Sequence, residues 1–166
     1  METSAHPYSE LTPVKVLEAV ESLGYEADAR VFALNSYENR VYQVGLRDGS
    51  YIIAKFYRPG RWSQDQILEE HSFARELSGL EIPVVAPIEF AQQQTLVQFE
   101  AFQLAIFPQC IGRAPELDQL DNLLLMGRFI GRIHAVGAMN HFLHRVTLTV
   151  DRLANESRSF LLENDF

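Results

Sequence analysis

Tyr51-Ile-Ile-Ala-Lys-Phe-Tyr57 decides the fold. It is β-branched and aromatic, and apolar at both alternating sets of positions except Lys55, so it reads as a strand covered on both faces. Just before it, Arg47-Asp-Gly-Ser50 reads as a hairpin turn, because Asp-Gly suits the positive backbone angles of a type I′ turn. Two further strands precede that turn, Arg30 to Ser36 and Asn39 to Leu46. Before them, Thr12 caps a helix that Pro13 opens without losing a needed N–H. Val16, Leu17, Val20 and Leu23 keep helical spacing, and Gly24 ends it. Residues 1 to 11 read as a loose tail.

Downstream, Arg58-Pro-Gly-Arg-Trp62 is a loop, and Ser63 caps a helix running to about Leu77, with Gly79 breaking it. Short strands follow at Ala86 to Phe90, Thr95 to Glu100 and Ala101 to Phe107. Gly112 to Glu116 reads as a linker. Asp118 caps an apolar helix to about Val136, Asn140 to Ala154 is loop-like, and Glu156 to Leu162 forms a short helix. Antiparallel strands interrupted by one helix predict an α+β lobe, with the opening of a second lobe behind it. The expected division is a tail at 1–11, a lobe at 12–108, a linker at 109–117 and the start of a second lobe at 118–166.

Composition limits the function. The 166 residues are 47% hydrophobic, which is globular. A formal charge of -8 argues against general binding to nucleic acid or anionic lipid, both of which demand clustered Lys and Arg. A single cysteine, Cys110, allows neither an internal disulfide nor a four-cysteine zinc site. No basic segment leads into an apolar run at the N-terminus, and no stretch reaches the roughly 20 apolar residues that span a bilayer. The expectation is a soluble cytoplasmic protein.

Lys55 carries the chemistry. Burying an unpartnered ammonium costs several kcal/mol, so either the strand is an edge and the lysine snorkels to water, or an anion meets it. The next helix offers one. At about 100° per residue, Ile67, Phe73, Ala74 and Leu77 define an apolar face with Glu70 near its middle and Glu69 toward its edge. Glu69 reads as a solvated acidic residue. A strand lysine held by a glutamate of the following helix is the kinase arrangement, in which the pair sets the lysine on the nucleotide phosphates. The turn Asn35-Ser-Tyr-Glu-Asn-Arg40 lacks the glycines of a protein-kinase phosphate loop. Its N–H groups and the Ser36 hydroxyl suit phosphate oxygens, but alone it reads as an ordinary polar turn.

Leu34-Asn-Ser-Tyr-Glu-Asn-Arg-Val-Tyr-Gln43, Ala54-Lys-Phe-Tyr-Arg-Pro59, Arg61-Trp62, Gln66-Ile-Leu-Glu-Glu-His71 and Ile82-Pro-Val-Val-Ala-Pro87 together resemble the bacterial stress response kinase A family. These are atypical Ser/Thr protein kinases of the aminoglycoside phosphotransferase and choline kinase-like superfamily. The likeness runs from about Leu11 to the chain end. It implies a kinase-like N-lobe with about five antiparallel strands and a C-helix, followed by a hinge and the first helices of a C-lobe. It also implies an ATP site built from Ser36, Tyr37, Glu38, Asn39, Lys55 and Glu70, with the backbone near Phe107, Pro108 and Gln109 meeting adenine. Gly127 to His134 resembles the family helix beneath the catalytic loop. There Leu123, Met126, Ile130 and Ile133 read as a buried stripe, Gly127 and Gly131 as sites of close backbone approach, and His134 as a core histidine. His141 and His144 read as surface residues.

Family members supply the base and the Mg²⁺ ligands from a His-Gly-Asp loop, a downstream Asn and a later Asp. None of these occurs here, and His144-Arg145 is followed by Val146. The expected activity is therefore ATP-dependent phosphorylation of a protein by a longer polypeptide, with this portion inactive alone. Two alternatives stand beside it. One is a small-molecule kinase of the same fold. The other is a non-catalytic nucleotide-binding or interaction module that self-associates through its apolar second-lobe helix.

Overall fold

The computed structural model describes residues 7–90 and 93–164. Helix α1 (Pro13–Ser22) leads into β1 (Ala27–Leu34), β2 (Arg40–Leu46) and β3 (Tyr51–Tyr57), then α2 (Gln64–Gly79), β4 (Val97–Phe99) and β5 (Phe102–Pro108). Helix α3 (Leu120–Gly137) follows. A turn of π-type helix (Asp151–Asn155) runs on into α4 (Glu156–Glu163). The strands form one antiparallel sheet in the order β1-β2-β3-β5-β4. Strand β3 is therefore central, which removes the reading of Lys55 as a residue on an edge strand.

The alternation along β3 sorts its neighbours. Ile52, Ala54 and Phe56 point into the main core, where the Phe56 ring meets Tyr42 and Phe102 edge-on at 6.0 and 6.2 Å. Val16, Ala19 and Val20 of α1 close that core. Tyr8 and Leu11 join it at 8% and 7% exposure. The expected tail is thus corrected at its inner end: Tyr8 stacks on Phe102, and its hydroxyl donates to the Glu38 carbonyl at 2.7 Å. Residues 1 to 6 lie outside the described ones.

The β2–β3 connection is a hairpin, but not of type I′. Among its loop residues only Gly49 has positive φ, at 87°, whereas type I′ needs it at both central positions. Gly49 N–H donates to the Leu46 carbonyl and Leu46 N–H to Ser50, so the turn closes over three residues with the glycine in the left-handed position. Strand β1 bulges between Ala27 and Val31, with Ala29 at φ 70°. The bulge brings Asp28 and Arg30 over Gly45. A side chain there would place its Cβ 2.5 Å from Asp28 Oδ1, which is why a glycine sits mid-strand.

Helix α2 starts as the sequence predicts. Ser63 Oγ accepts from Gln66 N–H at 3.2 Å, and Gln66 Oε1 accepts from Ser63 N–H at 3.0 Å, a closed capping box. The expected strand at Ala86 to Phe90 is not one. Ile88 N–H reaches the Ile106 carbonyl and Phe90 N–H that of Gln94, but no ladder forms, and Pro87 brings no N–H to it.

The second part departs most from expectation. Helix α3 begins at Leu120 behind Gln119 with no side-chain cap, so Asp118 does not cap it. None of its residues is buried: Leu123 and Ile130 are about half exposed, and His134 is exposed, not in a core. A Cβ added at Gly127 or Gly131 meets nothing within 4 Å. The stripe exists as a pattern, but it is only partly covered: Met126 and Ile133 are half-buried, and Leu123 and Ile130 stay exposed. No helix among the described residues is long and apolar enough to cross a membrane.

Candidate nucleotide site

On the face of the sheet opposite the main core, Ile53, Lys55 and Tyr57 of β3 turn toward α2 and the end of β5. A cleft of about 600 Å³ opens there. Leu34, Val41, Ile53, Val85, Pro87 and Phe107 give it a largely apolar lining, to which the exposed residues Gln109 to Gly112 also contribute. Lys55, Glu70 and His71 bring polar groups to the same lining.

Lys55 Nζ lies 3.4 Å from Glu70 Oε1. The pair is less buried than the strand pattern suggests, with side-chain exposures of 21% and 42%. Glu70 lines the open cleft, which leaves its carboxylate in reach of solvent. The ammonium also sits 4.5 Å from the Tyr57 ring centre and 5.7 Å from that of Phe107. Burial, then the Arg145 guanidinium, lower the Lys55 pKa, and Glu38 opposes them. A cation disfavoured in this way gains from any further anion that enters.

Behind Lys55 lies a buried polar chain that sequence reading did not assign. His71 bridges the Tyr57 hydroxyl and Thr95 Oγ1, each at 2.8 Å, and all three residues are almost fully buried. Its signal was available: His71 follows Ile67 by four residues, on the same apolar face. Burial, then Lys55, depress its pKa to about 4. An unfolded chain binds that proton near pH 6.5 and the folded one does not until about pH 4. The unfolded state therefore holds more protons in between, and stability rises with pH. The stability this site contributes is complete above about pH 6.5 and is lost as pH falls toward 4. Urea melts at pH 7 and pH 5 are expected to differ by about 2 kcal/mol from this group. His71→Gln should flatten that difference, and an unchanged slope would reject the assignment.

Of the eight predicted site residues, Lys55, Glu70, Phe107 and Gln109 line the cleft. Ser36, Tyr37, Glu38 and Asn39 do not; their turn is folded back on the loop after β3. The Ser36 hydroxyl donates to the Asn39 carbonyl at 2.8 Å, and Asn39 Oδ1 accepts from Arg58 N–H at 3.3 Å. Glu38 takes the Arg61 guanidinium and the Trp62 ring N–H, while Tyr37 is fully exposed. Gln109 Nε2 donates to Gln43 Oε1 at 3.0 Å across the cleft. Among the described residues no group of three His, Cys, Asp or Glu is placed to hold a metal ion.

Glu69 also differs from its reading as a solvated residue. Its carboxylate accepts the backbone N–H groups of Leu143, His144 and Arg145. Burial, which raises its pKa, is outweighed by these donors, and the net shift is downward.

A family model described as the phosphotransferase enzyme family matches residues 30–163, spanning sheet, cleft and α3. The chain belongs to that family. Among its relatives is the stress response kinase A of Escherichia coli O157:H7, 42% identical over 158 residues, which cover 95% of this chain and 48% of that protein. The Ser/Thr protein kinase RdoA of Salmonella typhimurium (strain LT2) is 43% identical over 145 residues, 87% of this chain and 44% of that one. The chain thus spans about half the length of the curated relatives it matches. Among solved structures, the amicoumacin kinase hAmiN, in complex with AMP-PNP, Ca²⁺ and Ami, superposes with TM-score 0.68 at 27% identity, over 82% of this chain and 42% of that one. A microcompartment-associated aminopropanol kinase gives the same TM-score at 16% identity, over 89% of this chain and 48% of that one, a likeness of fold alone. The sheet with α2 across it is accordingly the kinase-like N-lobe of this phosphotransferase family.

Proposed function

We propose that this phosphotransferase-family chain binds ATP in the cleft beneath β1 to β3, as the nucleotide-holding part of an ATP-dependent protein kinase. The observation that carries the reading is Lys55, set on the central strand, lining a largely apolar cleft and only loosely held by Glu70. The cleft suits a planar base, with the backbone from Phe107 to Gln109 as its hydrogen-bonding edge. Lys55 suits the α- and β-phosphates. The Ser36 to Asn39 turn takes its predicted place over the phosphates by exchanging the Ser36–Asn39 contact for one to a phosphate oxygen.

Phosphoryl transfer depends on positioning and charge stabilisation more than on covalent help from the protein. This chain's share is to orient the triphosphate and exclude water from the base. Mg²⁺ arrives with the nucleotide, and the described residues hold the triphosphate without supplying a metal cluster of their own.

Titrating Mg-ATP into the chain, followed by heat or Trp62 fluorescence, tests this reading. Saturable binding competed by ADP and by adenosine is expected, and its absence rejects the nucleotide site. The relatives' names support a protein hydroxyl as acceptor, whereas the amicoumacin kinase supports a small-molecule alcohol. Radiolabel transfer by a polypeptide of the relatives' full length, to a generic protein or to small amino alcohols, separates the two. The exposed apolar residues of α3 and α4 support the further reading that this chain self-associates when isolated.

A further inference from the structure

Arg145, outside every predicted element, is one of the most heavily anchored side chains near the cleft. Its Nη2 meets Glu70 Oε2, the carboxylate oxygen that Lys55 does not use. Its Nε donates to the Gln66 carbonyl at 3.0 Å, and its guanidinium lies over the Trp62 ring at 4.5 Å. Its own backbone N–H donates to Glu69 Oε2 at 2.7 Å, and Gln66 Nε2 returns a bond to the His144 carbonyl at 2.9 Å. Contacts at Gln66, Glu69 and Glu70, about one turn of α2, thus tie the segment after α3 to the helix that carries Glu70. A surface arginine with no task would be solvated, since ordering so long a side chain costs rotamer entropy.

Charge gives the arrangement a purpose. Lys55 and Arg145 share one carboxylate, so the cluster carries a net +1 within a chain of formal charge -8. A guanidinium takes a carboxylate oxygen more firmly than a flexible ammonium does, because its N–H groups are fixed in a plane. Glu70 is therefore held mainly by Arg145, and Lys55 keeps the longer, weaker contact. Without Arg145 the carboxylate would lose its firmer anchor, and Lys55 would be paired with a group free to change rotamer.

The geometry points to Arg145 as a positioning residue that fixes the Glu70 carboxylate, and through it Lys55, for the nucleotide phosphates, and so couples that grip to how the segment after α3 docks on α2. The inference rests on the nucleotide reading above. The charged and titratable groups that act on Lys55 are Glu70 and His71 from α2, Tyr57 from its own strand, Arg145, and, through space from the β1–β2 turn, Glu38.

Two measurements on this chain test it, each with Arg145→Gln and Arg145→Lys. The first is the pH dependence of Lys55 acylation, read by mass spectrometry, which follows the free amine. The second is Mg-ATP affinity by calorimetry. Arg145→Gln is expected to move the Lys55 midpoint to higher pH and to weaken Mg-ATP about fivefold or more, the scale of a partly exposed charged pair. Arg145→Lys should restore part of both, which a merely structural loss would not do. Thermal melts of both variants identify any that fail to fold, and the lysine variant then carries the comparison. If the parent chain binds no Mg-ATP, the nucleotide reading fails while the Lys55 midpoint still reports on Arg145. If the parent binds and Arg145→Gln leaves both midpoint and affinity unchanged, the role of Arg145 is overturned.

Discussion

Lys55→Ala is expected to weaken Mg-ATP binding by about 10- to 100-fold while leaving the melting temperature nearly unchanged. A hydrogen bond to a charged group contributes about 1.5–3 kcal/mol, which is the source of that range. Stability should barely respond, for two reasons. Burial and Arg145 already disfavour the charged lysine, so the fold gains little from it. Glu70 also keeps its Arg145 partner when the ammonium is removed, so no carboxylate is left unpaired. Calorimetric titration of the two proteins in parallel gives the answer. Equal affinities would remove Lys55 from the site, and with it the main support for a nucleotide cleft built on this strand.

Phe56→Ala, one residue along the same strand, should have the opposite profile. Phe56 is completely buried, and its ring meets those of Tyr42 and Phe102. Truncating a buried phenylalanine typically costs about 3–5 kcal/mol, from lost transfer free energy and the cavity left behind. Domains of this size are stable by about 5–15 kcal/mol in all, so the variant should unfold at a much lower urea concentration. Its remaining folded fraction should still bind Mg-ATP, because the deleted ring points away from the cleft. A loss below about 1 kcal/mol would mean that the core tolerates the void and is looser than its burial implies. The pair of substitutions uses the two-residue period of a strand to separate folding from binding.

The same period explains what could be read from sequence. The apolar run around Lys55, the Ser63 cap and the helical spacing of Ile67, Ala74 and Leu77 are local signals, and they place β3, α2 and the Lys55–Glu70 pair without any knowledge of distant contacts. His71 carries the same local signal, four residues after Ile67 on the apolar face, but its partner Thr95 lies 24 residues on, beyond any spacing rule. Arg145 had none: its partners lie 75 to 79 residues away on α2, and no spacing rule links them. The Asp-Gly pair marks the place of the turn but not its type, because a three-residue loop closing on a left-handed glycine uses the same two residues. The α3 stripe shows a further limit. An apolar repeat states which face seeks cover, not whether cover is present in the chain at hand.

The bulge in β1 has a consequence beyond making room over Gly45. It puts a charged Asp28–Arg30 pair on one margin of the sheet, while the other margin, β4, is only three residues long. Neither border offers a neighbouring molecule a straight, uncharged template for adding strands, so this sheet resists growing into cross-β fibrils. Whatever clumping the isolated polypeptide shows should be helix against helix, reversible by mild detergent and invisible to amyloid dyes.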